Sequence, residues 1–411
     1  MGTLTIAEQA SDPDEPVAGD QVIFPKTDGE MYTHVNGGSV RRVLLAPTDY
    51  VAGQVPVFTD DGLVWTDYTR PNLLINGDFR LDQIREGTTY TFSAGGGQGH
   101  LDGWVVSVSG AGGIQFQAVQ DPDYPRHNAL RMKCSTADAS VAAGDYCVLY
   151  QIIEGYKLTD LGVGTSSAGW ITIQFDVKGL PAGDYGLGLV NGNADRSYCT
   201  VVTIPDTGRH TITKTVRLDQ TGTWNYTNGR GMYVLLVLMG GTSQQTSTYD
   251  EWKADASYFP STQANFLSST SNEAYIGRIQ LIPSRVPLPF NVVDYGAELA
   301  RAQRYFEKTY DPGVAIQTGS ANGGALYRYA DVANTGQHTI PWYFKVTKRT
   351  TPTMQSYSWA TGTAGYFWCD GTADRAVAFN NTGLNASFVY HASGASITYR
   401  YGHCTADARL L

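Results

Sequence analysis

The side chains best placed to hold a ligand stand in QSYSWATGTAGYFWCD at 355–370. Tyr357 and Trp359 are two apart, so in a strand they share a face, and Tyr366 and Trp368 do the same on the strand expected next. A hairpin over 360–365 would set Trp359 opposite Tyr366 and Tyr357 opposite Trp368. All four rings then lie on one face, with Ser358, Phe367 and Cys369 on the other. A flat ring with a polar edge is what a pyranose stacks on, because the sugar's ring hydrogens meet the negative aromatic face. Core or subunit-interface rings would show the same spacing, and the sequence leaves both readings open.

Other constellations point away from catalysis, and no enzyme is expected. The seven histidines, from His34 to His403, are scattered, with no paired helical spacing for a metal. Carboxylates such as Asp121 with Asp123, or Asp250 with Glu251, could serve a glycosidase only across a cleft. Asp78 in INGDF could take a structural calcium, but a turn hydrogen bond accounts for it more simply. Cys134, Cys147, Cys199, Cys369 and Cys404 are odd in number and lack metal spacing, so free buried thiols are expected. Cys134 and Cys147 could face each other across a hairpin. No metal and no cofactor are expected.

These residues must be positioned by β-structure. Charged residues make up 16% of the chain against a usual ~25%, and the 46 glycines favour short strands joined by turns. Strand patterns recur from WVVSVS at 104–109 to YIGRIQLI at 275–282, and again from VAIQTG at 314–319 to ASITYRYGHC at 395–404. One helical period interrupts them. Leu299, Ala302, Tyr305, Phe306 and Tyr310 gather on one side of a helix over 297–310, with Asp294 as N-cap, Glu298 in the first turn, Lys308 in the last, and Asp311-Pro312-Gly313 as the stop. Leu299, Ala302, Phe306 and Tyr310 need an apolar neighbour, which predicts an oligomer interface; packing within the chain is the alternative. The fold expected is all-β: an amino-terminal arm over 1–70, a large sandwich over 71–290, a linker helix over 291–311 and a smaller sandwich over 312–411.

The arm holds 11 acidic residues against 4 basic ones, and so carries most of the formal charge of −9. Two hairpins are expected in it, turning at Asp28-Gly29 and Asp61-Gly62. Hairpins this small are marginal alone, so Ile23, Phe24, Tyr32, Val57, Phe58, Val64 and Trp65 need cover from a partner or a copy. No basic patch argues for nucleic acid. MYVLLVLM at 232–239 is far short of the ~20 residues that span a bilayer, so no membrane insertion is expected. The amino terminus shows no secretory leader, which predicts a soluble protein made in a cytoplasm.

Three segments together resemble bacteriophage tail-fibre and receptor-binding fibre proteins with galactose-binding-like jelly rolls. The first is the linker IQLIPSRVPLPFNVVDYGAELARAQRYFEK, with Glu298, Leu299, Gln303, Arg304, Tyr305, Glu307 and Lys308 matching the family pattern. The others are NLLINGDFRLDQIREGTTYT at 72–91, whose start is similar to the first strand of such jelly rolls, and TADARLL at 405–411. Ile282, Ala302 and Arg409 stand where the family often has an acidic residue, a cysteine and a glutamate. The resemblance implies a virion fibre protein assembled in the host cytoplasm. Its arm would bind other virion structural proteins, its state would be a homo-oligomer such as a trimer, and its target a host surface glycan. A glycan-cleaving tail depolymerase is the alternative.

Overall fold

The computed structural model describes, of the first 71 residues, the backbone of 21–25, 31–35, 41–43, 54–59 and 62–67. From Asn72 on it describes all but 93–96, 321–322, 335–338, 392–396 and Leu411, with backbone alone for 330–334 and 397–398. The chain divides into two compact units, Met1–Pro71 with Ile282–Leu288, and Asn72–Leu281 with Pro289–Leu411. In the first unit Gln21–Pro25 pairs antiparallel with Met31–Val35, which pairs with Arg41–Val43, and Gln54–Thr59 pairs with Gly62–Asp67. The register sets Thr59 opposite Gly62, so Gly62 belongs to the strand and not to the turn expected at Asp61-Gly62. The turn expected at Asp28-Gly29 and the cover expected for the arm's apolar side chains lie outside the described residues.

The second unit is nearly all β and holds the expected sandwich. One sheet has seven strands in the order Trp252–Lys253, Ser197–Ile204, Gly183–Asn191, Arg230–Gly240, Tyr146–Glu154, Trp104–Ser109, Gly97–His100. The other has six, in the order Arg209–Arg217, Trp170–Lys178, Glu273–Ile282, Asn128–Thr136, Gly113–Gln120, Tyr90–Thr91. Alternation fixes which side chains meet between them. Leu149, Ile153, Leu187, Leu189, Val234 and Leu236 of the seven-stranded sheet join Ile171, Ile173, Phe175, Leu130, Met132 and Ile276 of the other in one buried core. Cys134 and Cys147 both point into this core from opposite sheets, so the hairpin expected to bring them face to face is absent, and all five cysteines are free and buried.

Residues 72–79, expected to open the sandwich as a strand, run as turns instead. Their side chains replace ladder bonds: Asn72 Oδ1 accepts from the Leu281 and Leu74 amides at 2.8 and 3.1 Å, while its Nδ2 donates to the Ile279 carbonyl. Asn76 and Phe79 adopt left-handed φ of 55° and 53°, which strand geometry excludes.

The helix starts as expected and ends early. Asp294 Oδ1 accepts from the Gly296 and Ala297 amides, but the helix stops at Gln303. Phe306–Lys308 is a strand, with Phe306 opposite Asp407 and Lys308 opposite Thr405. Tyr305, Phe306 and Tyr310 fit the apolar face of a helix, and so the helix expected over 297–310 runs about two turns past the observed end. Lys308, expected in the last helical turn, is buried against Glu86 and the Val314 carbonyl, and Asp311-Pro312-Gly313 follows a strand and not a helix. VAIQTG at 314–319, expected as a strand, consists of turns and irregular chain.

Ile397–Asp407 is the spine of the carboxy-terminal part. It pairs with Phe306–Lys308 and Leu326–Asn334, and with Thr353–Ser358 and Tyr366–Cys369. A three-stranded sheet of Thr339–Tyr343, Ala386–Tyr390 and Ala378–Asn380 supplies the facing layer. Ile340, Trp342, Phe367, Val389, Cys404 and Ala406 fill the space between.

Candidate functional site

The four rings singled out in 355–370 stay on one sheet face but do not form one platform, because Tyr357 is buried. The expected hairpin pairing does not form, because Ile397–Asp407 takes the pairing edges of both strands: Tyr357 lies opposite His403 and Trp368 opposite Tyr401. The ladder between the two segments reduces to one bridge, Tyr357 to Ala364, before the second strand begins. Tyr357 is buried, its ring 6.2 Å from Tyr310, which stacks on His403 at 3.7 Å. Trp359 packs on Tyr401 at 4.6 Å. Across the spine Tyr327 stands opposite Tyr401, and Tyr329 opposite Tyr399. Trp359, Tyr366, Trp368, Tyr399, Tyr401, Tyr327 and Tyr329 therefore make a flat aromatic field, facing away from the core that holds Phe367 and Cys369. Tyr327 and Tyr329 are 58% and 56% exposed.

The interface expected at Leu299, Ala302, Phe306 and Tyr310 meets apolar neighbours within the chain. Ala302, Phe306 and Tyr310 are buried, and Leu299 packs on the cluster formed by the outward face of the seven-stranded sheet. The charged side chains around them close a joint. Arg304 donates from Nη2 and Nε to the two Glu154 oxygens at 2.6 and 2.8 Å, and the Tyr305 hydroxyl donates to Glu154 at 2.8 Å. Glu298 accepts from the Asn76 amide and from Arg301, whose Nη2 donates to the Asn72 and Leu74 carbonyls. Glu307 pairs with Lys348, both fully buried, and Lys348 also donates to the Gln303 carbonyl at 2.6 Å. The Ala408 amide donates to the Tyr305 carbonyl, and Leu410 packs into the cluster that Tyr305 joins. The three segments that carry the fibre resemblance thus interlock at one place.

Sequence reasoning missed the feature beside this joint. The same outward sheet face continues into a groove of about 250 Å³ that crosses five adjacent strands. Val148, Leu235, Val190 and Phe259 line it with Ser107, and Tyr146, Tyr150, Tyr233, Tyr258, Gln98 and Gln244 supply rings and carboxamides. Tyr150 and Tyr233 rings lie 5.8 Å apart. Gln244 Nε2 donates to the Tyr258 hydroxyl at 2.8 Å, and the Tyr258 amide returns to the Gln244 carbonyl, which fixes one wall. That wall lies on the sheet because Gly186 and Gly188 have no side chain. A Cβ at Gly186 would come within 2.6 Å of Pro260, and one at Gly188 within 3.2 Å of the Tyr258 Cβ.

Burial, and then the neighbouring Tyr233 and Tyr146, push the Tyr150 phenol up to about 12; burial also raises Tyr258. Both remain neutral donors at ordinary pH. Ser107 is 2% exposed, and neither its hydroxyl nor those of Tyr146 and Tyr233 has a hydrogen-bond partner among the described residues.

The candidate acids are engaged elsewhere. Asp121 and Asp123 bind Arg209, Asp123 also binds Lys178 at 2.6 Å, Asp250 accepts from the Tyr198 hydroxyl at 3.3 Å, and Asp78 pairs with Arg80. Among the described residues no group of three His, Cys, Asp or Glu could hold a metal ion, and no helix is long and apolar enough to cross a membrane.

No protein-family model matches the chain, and no curated protein does. Among solved structures the chain is similar to a CBM4 structure, at 15% identity and TM-score 0.26 over 51% of this chain and 97% of the other. It is similar to the family 11 carbohydrate-binding module of a cellulosomal cellulase from Clostridium thermocellum, at 14% identity and TM-score 0.24 over 47% and 96%. It is also similar to the enzymatically active domain of tailspike protein 4 of bacteriophage CBA120, at 7% identity and TM-score 0.24 over 51% and 21%.

Proposed function

We propose that this chain recognises a glycan, holding it in the tyrosine-lined groove on the outward face of the seven-stranded sheet. The groove carries the reading. It combines an apolar floor, rings at its rim, a buried Ser107 hydroxyl without a protein partner, and carboxamides able to donate and accept. Pockets of this composition bind small polar ligands with apolar faces. Among the described residues no carboxylate lines the groove, and glycoside cleavage requires an acid and a base at the scissile bond. The reading is therefore one of binding at this groove without cleavage there. The setting we propose is a virion fibre protein, attached through residues 1–70 to other virion structural proteins and assembled in the host cytoplasm as a homo-oligomer such as a trimer. That part rests on the resemblance of the linker, 72–91 and 405–411 to phage fibre proteins.

Affinity electrophoresis of the full chain in gels containing host polysaccharides tests the binding: retardation is expected for the native chain and its loss for Tyr233→Ala. Reducing-sugar release from the same polysaccharides would overturn the non-enzymatic reading and favour the depolymerase. Immunogold labelling of particles with an antibody to 312–411 tests the virion setting, and light scattering at micromolar concentration tests the oligomer.

A further inference from the structure

We infer that the ligand of the groove is an uncharged sugar and not an anionic one such as a uronate, a sialylated chain or a sugar phosphate. This rests on the glycan reading above and narrows it. Among the described residues, the twelve that line the groove include no Lys, Arg, His, Asp or Glu. An anion entering it would leave water without meeting a cation, and an unpaired charge is far more costly to desolvate than a hydroxyl that finds a new partner. Arg230 is a cation whose charge is felt at Tyr150, but it stands opposite Glu154 in the strand register, outside the lining.

A neutral sugar matches what is present. Its hydroxyls both donate and accept, and so do the carboxamides of Gln98 and Gln244 and the hydroxyls of Ser107, Tyr146 and Tyr233. Its ring hydrogens suit the faces of Tyr150 and Tyr233. The raised phenols of Tyr150 and Tyr258 add no negative charge at ordinary pH and offer O–H donors throughout. Acidic glycans are elsewhere gripped by Arg and Lys, whose attraction fades with salt; nothing in this lining would respond to salt in that way.

The test is affinity electrophoresis of the full chain against two sets of polysaccharide, neutral (dextran, mannan, galactan, β-glucan) and acidic (alginate, hyaluronan, polysialic acid), at about 50 mM and about 500 mM NaCl, which brackets strong and weak screening. Retardation by a neutral polysaccharide is expected. It should be unchanged by salt, weakened at least ~5-fold by Ser107→Ala, as removal of one hydrogen bond implies, and unaccompanied by a loss of thermal stability. Gln98→Lys, which adds a cation at an exposed rim position, should weaken neutral binding and introduce salt-sensitive retardation by acidic chains. Retardation of the native chain only by acidic polysaccharides, lost in Tyr233→Ala, would overturn the uncharged assignment and leave the glycan groove standing. Retardation by none of the sugars, or by any of them equally in the native chain and in Tyr233→Ala, would overturn the groove itself.

Discussion

The outward face of the seven-stranded sheet is built twice over from the same material and finished in two ways. At one end Val105 and Ile152 are covered by Ile75 and Leu81 from the turns after Asn72, by Ala302 and Tyr305 from the linker and by Leu410. At the other, Val148, Leu235, Val190 and Phe259 floor an open groove rimmed by tyrosines. A buried large apolar side chain contributes about 1.5–3 kcal/mol, so the covered end pays its own way in stability. The open end keeps an apolar floor in reach of water, with hydroxyls left unpaired. The polar groups differ accordingly. Those of the joint are charged and paired, as in Glu154 with Arg304 and Tyr305, whereas those of the groove are neutral and only partly paired, Gln244 with Tyr258 but Ser107, Tyr146 and Tyr233 with no partner among the described residues.

Substitutions can sharpen this contrast. The largest effect is expected at Lys348, whose removal as Lys348→Met strands a fully buried Glu307. A loss of about 3–5 kcal/mol should appear in urea unfolding, and adding Glu307→Leu should restore most of it. A result within error of the native chain would mean that the joint is not held by this pair.

Asp102 supplies a pH-dependent test at the same end, because it accepts from Gln83, which also donates to the Phe306 carbonyl. Burial, the largest cause, holds its carboxyl up at about 6 against an ordinary 3.8, although the two Gln83 hydrogen bonds pull it down. A raised acid favours the folded state in its protonated form. Its contribution is therefore full below about 3.8 and is lost as pH rises through about 6. The loss is on the order of 3 kcal/mol. Unfolding free energies measured from pH 3.5 to 7 should show this fall, and Asp102→Asn should flatten it.

Tyr305→Phe removes one hydrogen bond to the Glu154 carboxylate and should cost about 1.5–3 kcal/mol without affecting glycan retardation. The smallest change in stability is expected in the groove. Tyr146→Phe should leave the melting temperature unchanged and weaken binding by about 1 kcal/mol, the net value of a hydrogen bond. A variant that moved both readouts together would dissolve the distinction between the two ends.

Much of the architecture was legible because it is periodic. The alternating runs from 104 to 282 gave the sandwich strands, and Asp294 gave the helix start through local chemistry that needs no tertiary context. The helix end was not legible. Phe306 and Tyr310 fit a helical face, but Glu307 and Lys308 are buried by Lys348 and Glu86, partners distant in sequence. The aromatic field was half visible: Tyr357, Trp359, Tyr366 and Trp368 do share a face, but the strand 397–407 that lies between them and the burial of Tyr357 beside Tyr310 and His403 come from distant segments. The groove left almost no trace. Tyr146, Tyr150, Tyr233 and Tyr258 come from three separate segments and meet only through pairing. The one local signal was YGLGLVNG, where alternate glycines mark a strand face that another segment must approach closely.

The spine Ile397–Asp407 has a consequence for how the molecule is made. Four strands, Phe306–Lys308, Leu326–Asn334, Thr353–Ser358 and Tyr366–Cys369, find their pairing edges on a segment that leaves the ribosome after all of them. Synthesis is vectorial and domains complete from the amino-terminal side, so the sandwich core can assemble during translation while these four edges wait. Unpaired edges invite association with other chains. Premature termination near 396 would therefore be expected to yield a nascent product with a finished sandwich and a sticky, unclosed tail, which makes the codons for Ile397–Asp407 the checkpoint between a closed sheet and an association-prone one.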